Sequence, residues 1–401
     1  MATNLQANWD LTEASNLFKI KYGQLSDNSY NSANVLLGRV KKSYNFVGKK
    51  MEFPIPLSFQ GGVGSGSLPE ANVANYEDVF FTAKKMYAVT RYDRESVKAS
   101  MSDEGSFVRG TKETVKKTVE SWNRNMSRAL FGDGTGALGT IGAAVTGTGT
   151  SGDPYLCTIS SATWKEANFE ERDFVNVDTS TDLFEVSAVD ADTRVISLVA
   201  QSGATHTPAD TEVIYMQGSK DNDPEGLKGV LDATTGSKYG VAIARRWQSY
   251  QLAAASAGIT PDLLNKTMLN VEKRSGKTPN MILTSYLQYE KILNQLEDQK
   301  RYSLDPRAKN LKGKVSFEGV EFMSSQGPIG IFPERFCEDD RVYVLNDNFI
   351  EIFHRPGFGW FDDDGTVFLR TNEDSYEARY GGYMETYIAP PFHGVITGLA
   401  T

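Results

Sequence analysis

From Met51 the chain alternates without a slip. Met51, Phe53, Ile55, Leu57 and Phe59 share one face, and Glu52, Pro54, Pro56, Ser58 and Gln60 share the other. A period of two is the mark of a strand. Both prolines fall on the polar face, and each removes a ladder donor, so the segment belongs at a sheet edge. A Gly/Ser tract follows, with Gly61, Gly62, Gly64 and Gly66, and then a second strand-like run from Val79 to Thr90 that includes Phe81. The pattern predicts a long two-stranded arm with a glycine-rich tip. Such an arm is only marginally stable alone in water, so it needs a surface to lie on.

The next segment is the strongest helix in the chain. Val108, Val115, Val119, Trp122, Met126, Ala129 and Leu130 form one apolar stripe. Glu113 with Lys117, and Glu120 with Arg124, stand at i,i+4 in the favoured order. Ser102 or Asp103 is placed to cap its start, and Gly132 to end it. About 28 residues at 1.5 Å each make roughly 40 Å, longer than a small domain is wide. An elongated subunit is expected.

Elsewhere the organisation is mixed. Residues 1–48 are polar with scattered apolar anchors and read as an extended arm. Gly132 to Gly152 is rich in Gly and Thr and reads as linker. Between 153 and 218, short alternating runs separated by Asp, Thr and Gly turns predict a small β-barrel or sandwich. Thr260 and Pro261 open a helix that Gly276 ends, a short strand spans Asn280–Thr284, and a second helix starts near Ser285. Strands are expected at Lys314–Phe322, Arg341–Leu345, Phe349–His354, Thr366–Arg370 and near Tyr376–Ile388. Helix, strand and helix followed by several strands describe an α+β domain.

Composition removes several function classes. The 401 residues suggest two or three domains. Cys157 and Cys337 lie far apart without metal-type spacing, which argues against a disulfide scaffold and a zinc site. Only three histidines occur, His206, His354 and His393. Lys and Arg number 42 against 51 Asp and Glu, a net charge of -9 that argues against gripping nucleic acid as the main task. The first residues carry neither a basic nor an apolar signal region, and no run of apolar residues is long enough to span a membrane.

The chemical motifs weigh little. Gly147, Gly149 and Gly152 match a dinucleotide glycine pattern, but Asp153-Pro154 and strand-like sequence follow where a helix is required. Gly276-Lys277-Thr278 lacks the first glycine of a phosphate loop, since position 271 is Val271. Asp221, Asp223, Glu225 and Asp232 approach calcium-loop spacing, but Pro224 and the missing final glutamate favour a polar turn. Asp362, Asp363, Asp364 and Gly365 read as a hairpin turn. The C-terminal aromatics, among them Phe358, Trp360, Phe361, Tyr376, Tyr380, Tyr383 and Tyr387, read as sheet packing. No catalytic, cofactor or metal constellation is expected, and the chain is read as no enzyme.

At the end of the long helix, Arg128 to Gly136 (with Gly132, Asp133, Gly134, Thr135 and Gly136) resembles the signature that closes the spine helix in major capsid proteins of tailed bacteriophages, the Hong Kong ninety-seven type of fold. In that family the signature is often followed by a Pro-x-Gly-Leu-x-Gly-Leu element. Here Pro224 to Leu231 is similar to it, displaced by the β-rich stretch between. The resemblance implies an N-terminal arm at 1–48, an extended hairpin loop at 49–93 and a spine helix at 94–136. It further implies an inserted β-rich domain at 137–222, an axial domain at 223–364 and returning peripheral strands at 365–401.

The resemblance also implies a structural function. Copies would join as hexamers and pentamers into an icosahedral virion shell around double-stranded DNA, assembled in the host bacterial cytoplasm. The hairpin, through Phe53, Ile55, Leu57, Phe59 and Phe81, would gain its stability by lying on a neighbouring subunit. Its glycines would let one chain fit both ring environments. The tip from Gln60 to Asp78 has no lysine, so the covalent crosslink known in some members is not expected. About 48 residues precede the hairpin, so either a separate scaffolding protein or an already matured chain is expected, the former first. A portal and a cement or decoration protein are further expected partners, with DNA contacted non-specifically and no membrane. Two rival readings are a β-rich polysaccharide-active enzyme with 153–218 as its carbohydrate-binding module, and a phage tail or baseplate ring protein.

Overall fold

The computed structural model describes residues 35–43, 46, 48, 50–58, 75–93, 104–178, 180–298, 320–324, 327–360, 368–369 and 375–401. A short helix, α1 (Val35–Arg39), leads into a three-residue strand, β1 (Lys41–Ser43). β2 (Lys50–Ser58) and β3 (Asn75–Thr82) pair antiparallel, Phe53 facing Val79 and Met51 facing Phe81. After Ala83 the chain continues as β4 (Lys84–Asp93) in a different sheet. The single second strand expected over Val79–Thr90 is therefore two. The reason is a better partner: β4 pairs with β20 (Ser375–Ile388) from Lys84 opposite Met384 to Asp93 opposite Ser375.

The long helix, α2 (Glu104–Phe131), lies on that β4–β20 pair. The Trp122 ring meets Tyr380 of β20 edge-on at 5.4 Å, and the Thr118 hydroxyl donates to Thr90 of β4 at 3.0 Å. Trp122, Met126, Ala129, Leu130 and Phe131 are buried, so the stripe in the second half of α2 is turned to the core. On the other edge of β20 run β18 (Ile350–Trp360) and β19 (Phe368–Leu369), and β1 adds in parallel to β18. This makes a five-stranded sheet.

The inserted unit contains β5 (Ala137–Thr140), β6 (Tyr155–Thr158), β7 (Phe174–Val177), β8 (Phe184–Asp190), β9 (Val195–Ala200) and β10 (Val213–Met216). Their order is β5-β10-β7-β8-β9-β6, with every pair antiparallel. A bridge between Ile141 and Ile159 brings the two outer strands together, with Gly142 N–H donating to Thr158 O and Ser160 N–H to Thr140 O, both at 2.8 Å. The sheet thus closes into a barrel. Val175, Val177, Phe184, Val186, Ile196, Leu198 and Ile214 fill it. The segment expected as linker supplies β5, because Leu138 and Ile141 are two of those inward residues.

Beyond the barrel come a one-turn helix, α3 (Leu227–Leu231), and a small hairpin of β11 (Ser237–Lys238) and β12 (Val241–Ala242). A six-stranded mixed sheet follows. It holds β13 (Tyr250–Ala253), β14 (Met281–Thr284), β15 (Val320–Ser324), β16 (Gly327–Pro333), β17 (Val342–Leu345) and β21 (Gly394–Thr397), in the order β13-β21-β17-β14-β16-β15. The helices α4 (Pro261–Ser275) and α5 (Tyr286–Asp298) flank it. Thr260 caps α4 by accepting from Leu263 N–H at 3.3 Å, and Gly276 ends it with φ 69°. Leu264, Thr267, Met268 and Val271 form its buried face.

The sheets divide the chain differently from the boundary set at 364/365. β18 lies with β20 and β4 rather than with the mixed sheet, whereas β21 leaves the five-stranded sheet and pairs between β13 and β17. The cause is the turn at Pro390–Phe392, after which Val395 and Ile396 enter the mixed sheet fully buried. No described helix is long and apolar enough to cross a membrane.

Candidate functional site

Three places in the fold gather the motif residues and the buried charges: the hairpin, the end of α2, and the seam between barrel and body. In β2 the alternation is realised residue by residue, with Met51, Phe53, Ile55 and Leu57 half-buried and Glu52, Pro54 and Pro56 exposed. The half-buried face packs on this chain's own core. Phe53 meets Tyr387 edge-on at 5.1 Å, and Phe81 lies 5.3 Å from Phe353 and 5.9 Å from Tyr239. Phe80 N–H donates to Tyr239 O at 2.9 Å, and the Tyr239 hydroxyl donates to Thr386 O of β20 at 2.9 Å.

The hairpin base is therefore supported within the subunit. An unsupported arm was the expectation, and the aromatic residues of β18 and β20 that hold it come about 300 residues later in the sequence. Its outward face carries Tyr76, 56% exposed, and Phe80, 41% exposed. Of the residues assigned to the arm, Phe53, Ile55, Leu57 and Phe81 lie at this base. Phe59, Gly61, Gly62, Gly64 and Gly66 lie outside the described residues.

At the end of α2, the structure brings together two motif pieces almost a hundred positions apart. Gly132 N–H donates to Ala129 O at 3.0 Å and closes the helix, while Gly229 N–H of α3 donates back to Gly132 O at 3.2 Å. Asp133 turns the chain by accepting from Thr135 N–H at 3.1 Å. Gly134 and Gly136 have φ of 81° and 79°, a region that side chains disfavour. A Cβ on Gly136 would stand 2.3 Å from Ser219 O, and one on Gly226 would stand 2.3 Å from Ala129 O. Asp221 N–H donates to Thr135 O at 2.8 Å, so the barrel enters and leaves through one narrow neck.

Near-calcium spacing dissolves in the same place. Asp223 pairs with Arg128 at 2.8 Å, Glu225 with Lys238, and Asp232 with Arg341. Three of the four carboxylates already have a cation and Lys84 holds the Asp221 backbone carbonyl instead, so the stretch is a packed turn.

The seam between barrel and body is made of charge. Arg124 of α2 donates to Asp173 at 2.7 Å and pairs with Glu170, both on the barrel. Lys165 of the barrel reaches Glu338 at 2.9 Å and donates to Phe336 O at 3.0 Å. Burial alone would push the Glu338 carboxyl up, but the Lys165 and Lys228 ammonium groups outweigh it and hold it at about 2. Apart from Arg124, which the sequence pairs with Glu120, these residues were not singled out in the sequence. The available signal was Arg124 and Arg128 at i,i+4: like charges on one helix face are unfavourable unless acids come from elsewhere.

Among the described residues, no group of three or more His, Cys, Asp and Glu is gathered for a metal. Burial pushes the Cys157 thiol up to about 12 and the Cys337 thiol well above its ordinary value. The buried His393 is pushed down to about 3 and accepts from Asn346 N–H at 3.2 Å. The loop Asp362–Gly365 lies outside the described residues.

No protein-family model matches the chain, and no curated protein does. Among solved structures, the chain is similar to the capsid subunit in the asymmetric unit of cyanophage A-1(L), with a TM-score of 0.56 at 13% identity over 96% of this chain and 98% of that one. The capsid protein of a native GTA particle gives a TM-score of 0.48 at 9% identity, over 91% and 90% of the two chains. The SrpI encapsulin of Synechococcus elongatus PCC 7942 gives 0.47 at 7% identity, over 96% and 94%. The likeness to the cyanophage subunit runs through almost every element of both chains. The fold is that of a tailed-phage major capsid protein, with a β-barrel inserted after the long helix.

Proposed function

We propose that this chain is the major shell subunit of a tailed-phage-type capsid. The observation that carries this reading is the fold shared with the cyanophage capsid subunit along nearly the whole length of both chains. Copies join head to tail, and heterologous contacts of that kind close into rings when the rotation allows it. Hexamers and pentamers then tile an icosahedral shell around double-stranded DNA. The net charge of -9 suits a container that touches its genome without gripping it.

The role is structural. A thiol held near 12 and an imidazole held near 3 are poor nucleophiles and poor proton carriers at neutral pH. The outward face of the hairpin, its glycine-rich tip and the helix-end signature Gly132–Gly136 are the proposed assembly elements. A separate scaffolding protein and a portal start and shape the shell in the host bacterial cytoplasm, and a decoration protein is a further partner of the finished virion.

The test is expression with and without candidate scaffold, followed by size-exclusion chromatography, negative-stain microscopy and an assay for nuclease-protected DNA. Closed shells, or rings of five and six, are the expected result. A stable monomer that neither closes nor polymerises even with scaffold overturns the reading. Closed shells that never protect DNA in infected cells overturn its genome-container part alone.

A further inference from the structure

Beneath the hairpin base lies an open cleft of about 870 Å³, between β2, the end of α4 and the turn before β21. The chain as a whole is acidic, yet Arg245, Arg246, Lys273 and Arg274 line this cleft. None of the four pairs with a described carboxylate. The cleft's acid, Glu351, is already held by Lys41 at 3.0 Å. Phe349 and Phe392, stacked with ring centroids 3.7 Å apart, form an apolar wall. A basic cleft with an aromatic wall fits an acidic surface that carries an aromatic side chain of its own.

Such a surface lies at the opposite end of the mixed sheet. Tyr286, the first residue of α5, is 59% exposed, and the exposed Glu290 stands one turn on along the same helix face. Asp339, also exposed, belongs to the loop before β17, and its backbone carbonyl accepts from Gln288 Nε2 of α5 at 2.6 Å. Neither carboxylate forms an ion pair among the described residues. The strands fix where this projection stands. β17 runs from Val342, just after Asp339, to Leu345, just before Asn348 and Phe349 of the cleft. β14 runs the other way, from Met281 opposite Leu345 to Thr284 opposite Val342, and Tyr286 follows directly. Four strand residues, roughly 13 Å of sheet, separate the two ends. A subunit's own projection therefore cannot fill its own cleft.

Resting on the shell reading, we infer that the acidic projection Tyr286/Glu290/Asp339 of one copy docks in the Arg245/Lys273 cleft of the next. The Tyr286 ring meets the phenylalanine wall, and the two carboxylates meet the cations. The two surfaces stand at opposite ends of one sheet, so the contact is heterologous and propagates from copy to copy as ring building requires.

The test is a charge swap in the full chain. Arg245→Glu with Lys273→Glu reverses the cleft and spares Arg246 and Arg274, which donate to Leu57 O and Ser249 O. Glu290→Lys with Asp339→Lys reverses the projection. Circular dichroism and thermal unfolding first establish that each pair leaves the subunit folded. Where a reversal unfolds it, the neutral pair Arg245→Gln/Lys273→Gln or Glu290→Gln/Asp339→Asn takes its place. Each altered chain alone is expected to need at least about tenfold more protein to assemble, as judged by light scattering and microscopy. Tyr286→Ser is expected to weaken assembly in the same direction. One chain carrying both reversals is expected to assemble again. An equimolar mixture of the two singly reversed chains is expected to form even-numbered rings, because a ring of five cannot alternate two chains.

Altered chains that assemble like wild type overturn this contact and leave the shell reading standing. Loss of assembly on reversing the cleft but not the projection overturns it in favour of another acidic partner. Cleft variants that assemble normally but retain less DNA overturn it in favour of a phosphate-binding groove. Rescue only when both reversals sit on one chain, and never on mixing, makes the pairing internal and also overturns it. A wild-type chain that does not assemble removes the shell reading and this contact with it.

Discussion

The guanidinium of Arg124, on the long helix, and the carboxylate of Asp173, in the barrel, meet at 2.7 Å, and the Arg124 side chain is only 4% exposed. A charge this deeply buried is stable only while its partners remain. Arg124→Met is expected to cost about 3 kcal/mol, because it leaves Asp173 half-buried without its cation. The double variant Arg124→Met/Asp173→Asn is expected to recover most of that loss. Chemical unfolding of the four chains in a double-mutant cycle measures the coupling directly. Equal stability of the single and double variants rules the pairing out as the fastening of the barrel.

The helix-end signature makes a steric prediction. Gly226 lies where α3 packs onto the last turn of α2, and a Cβ there would stand 2.3 Å from Ala129 O and 2.6 Å from Gly132 O. Backbone atoms on both sides leave no side chain to move aside. Gly226→Ala is therefore expected to cost at least about 2 kcal/mol. Gly236→Ala serves as the comparison, since nothing lies within 4 Å of its added Cβ and only its φ of 87° opposes the change. Denaturant midpoints that rank the two in the reverse order contradict the packing described at the motif.

Glu385 predicts a pH dependence. It sits buried on β20, its Oε1 accepting from Glu225 N–H at 2.7 Å and Thr386 N–H at 3.1 Å. Burial outweighs those hydrogen bonds and pushes the carboxyl up from 4.5 to about 8. The folded chain thus holds the proton more tightly than the unfolded one. Its contribution to stability is complete below about 4.5 and is lost as pH rises through about 8. Glu385→Gln keeps the acceptor oxygen and removes the titration. Relative to wild type, the variant is expected to gain stability steadily from pH 5 to pH 8, by at most a few kcal/mol. Parallel stability–pH curves for the two chains would refute the buried carboxyl.

The hairpin base is testable in the unassembled subunit. Phe81 stacks among Phe53, Tyr239, Phe353 and Tyr387 of its own chain. Phe81→Ala is expected to destabilise the free subunit by about 3–4 kcal/mol. If the arm drew its support solely from neighbouring copies, the same change would leave the free subunit untouched and weaken assembly alone. Thermal unfolding of dilute, unassembled protein separates the two.

Much of this architecture was legible because periodicity is local. The stripe from Val108 to Leu130, the alternation from Met51 to Leu57, and the Thr260-Pro261 and Gly276 punctuation each declare an element within a few turns of chain. What stayed hidden is pairing across distance. Nothing near Thr82 says that Lys84–Asp93 will leave the hairpin for a strand almost three hundred residues later, because the preference resides in Ser375–Met384. Residues 394–397 likewise read as the end of a run of strands, yet a tight turn at Pro390–Phe392 carries them into the other sheet. Arg124 read as the i,i+4 partner of Glu120. The acids that pair with it are Glu170 and Asp173, in a unit whose docking no local pattern records.

The neck of the barrel makes the last prediction. Thr135 O and Asp221 N–H are hydrogen-bonded at 2.8 Å, so the two ends of the body lie as close as adjacent strands. The side chains that fill the barrel form a cluster of their own, from Leu138 to Ile214, separate from the body's two clusters. Its fastenings to the body at Arg124 and Lys165 are polar, and among its buried residues Ala167 joins the body's main core. Replacing residues 137–219 by a two-residue Asn-Gly turn closes a gap the backbone already spans. The shortened chain is expected to fold with the far-ultraviolet spectrum of a protein that has lost mainly strand, at a modest cost in stability from Arg124 losing Glu170 and Asp173 and from Glu338 losing Lys165 while keeping Lys228 and Tyr343. Residues 136–220 expressed alone are expected to unfold cooperatively, since closing the sheet leaves no open edge and gives the unit its own core. Failure of both halves to fold would show that the seam, rather than the two cores, holds the structure together.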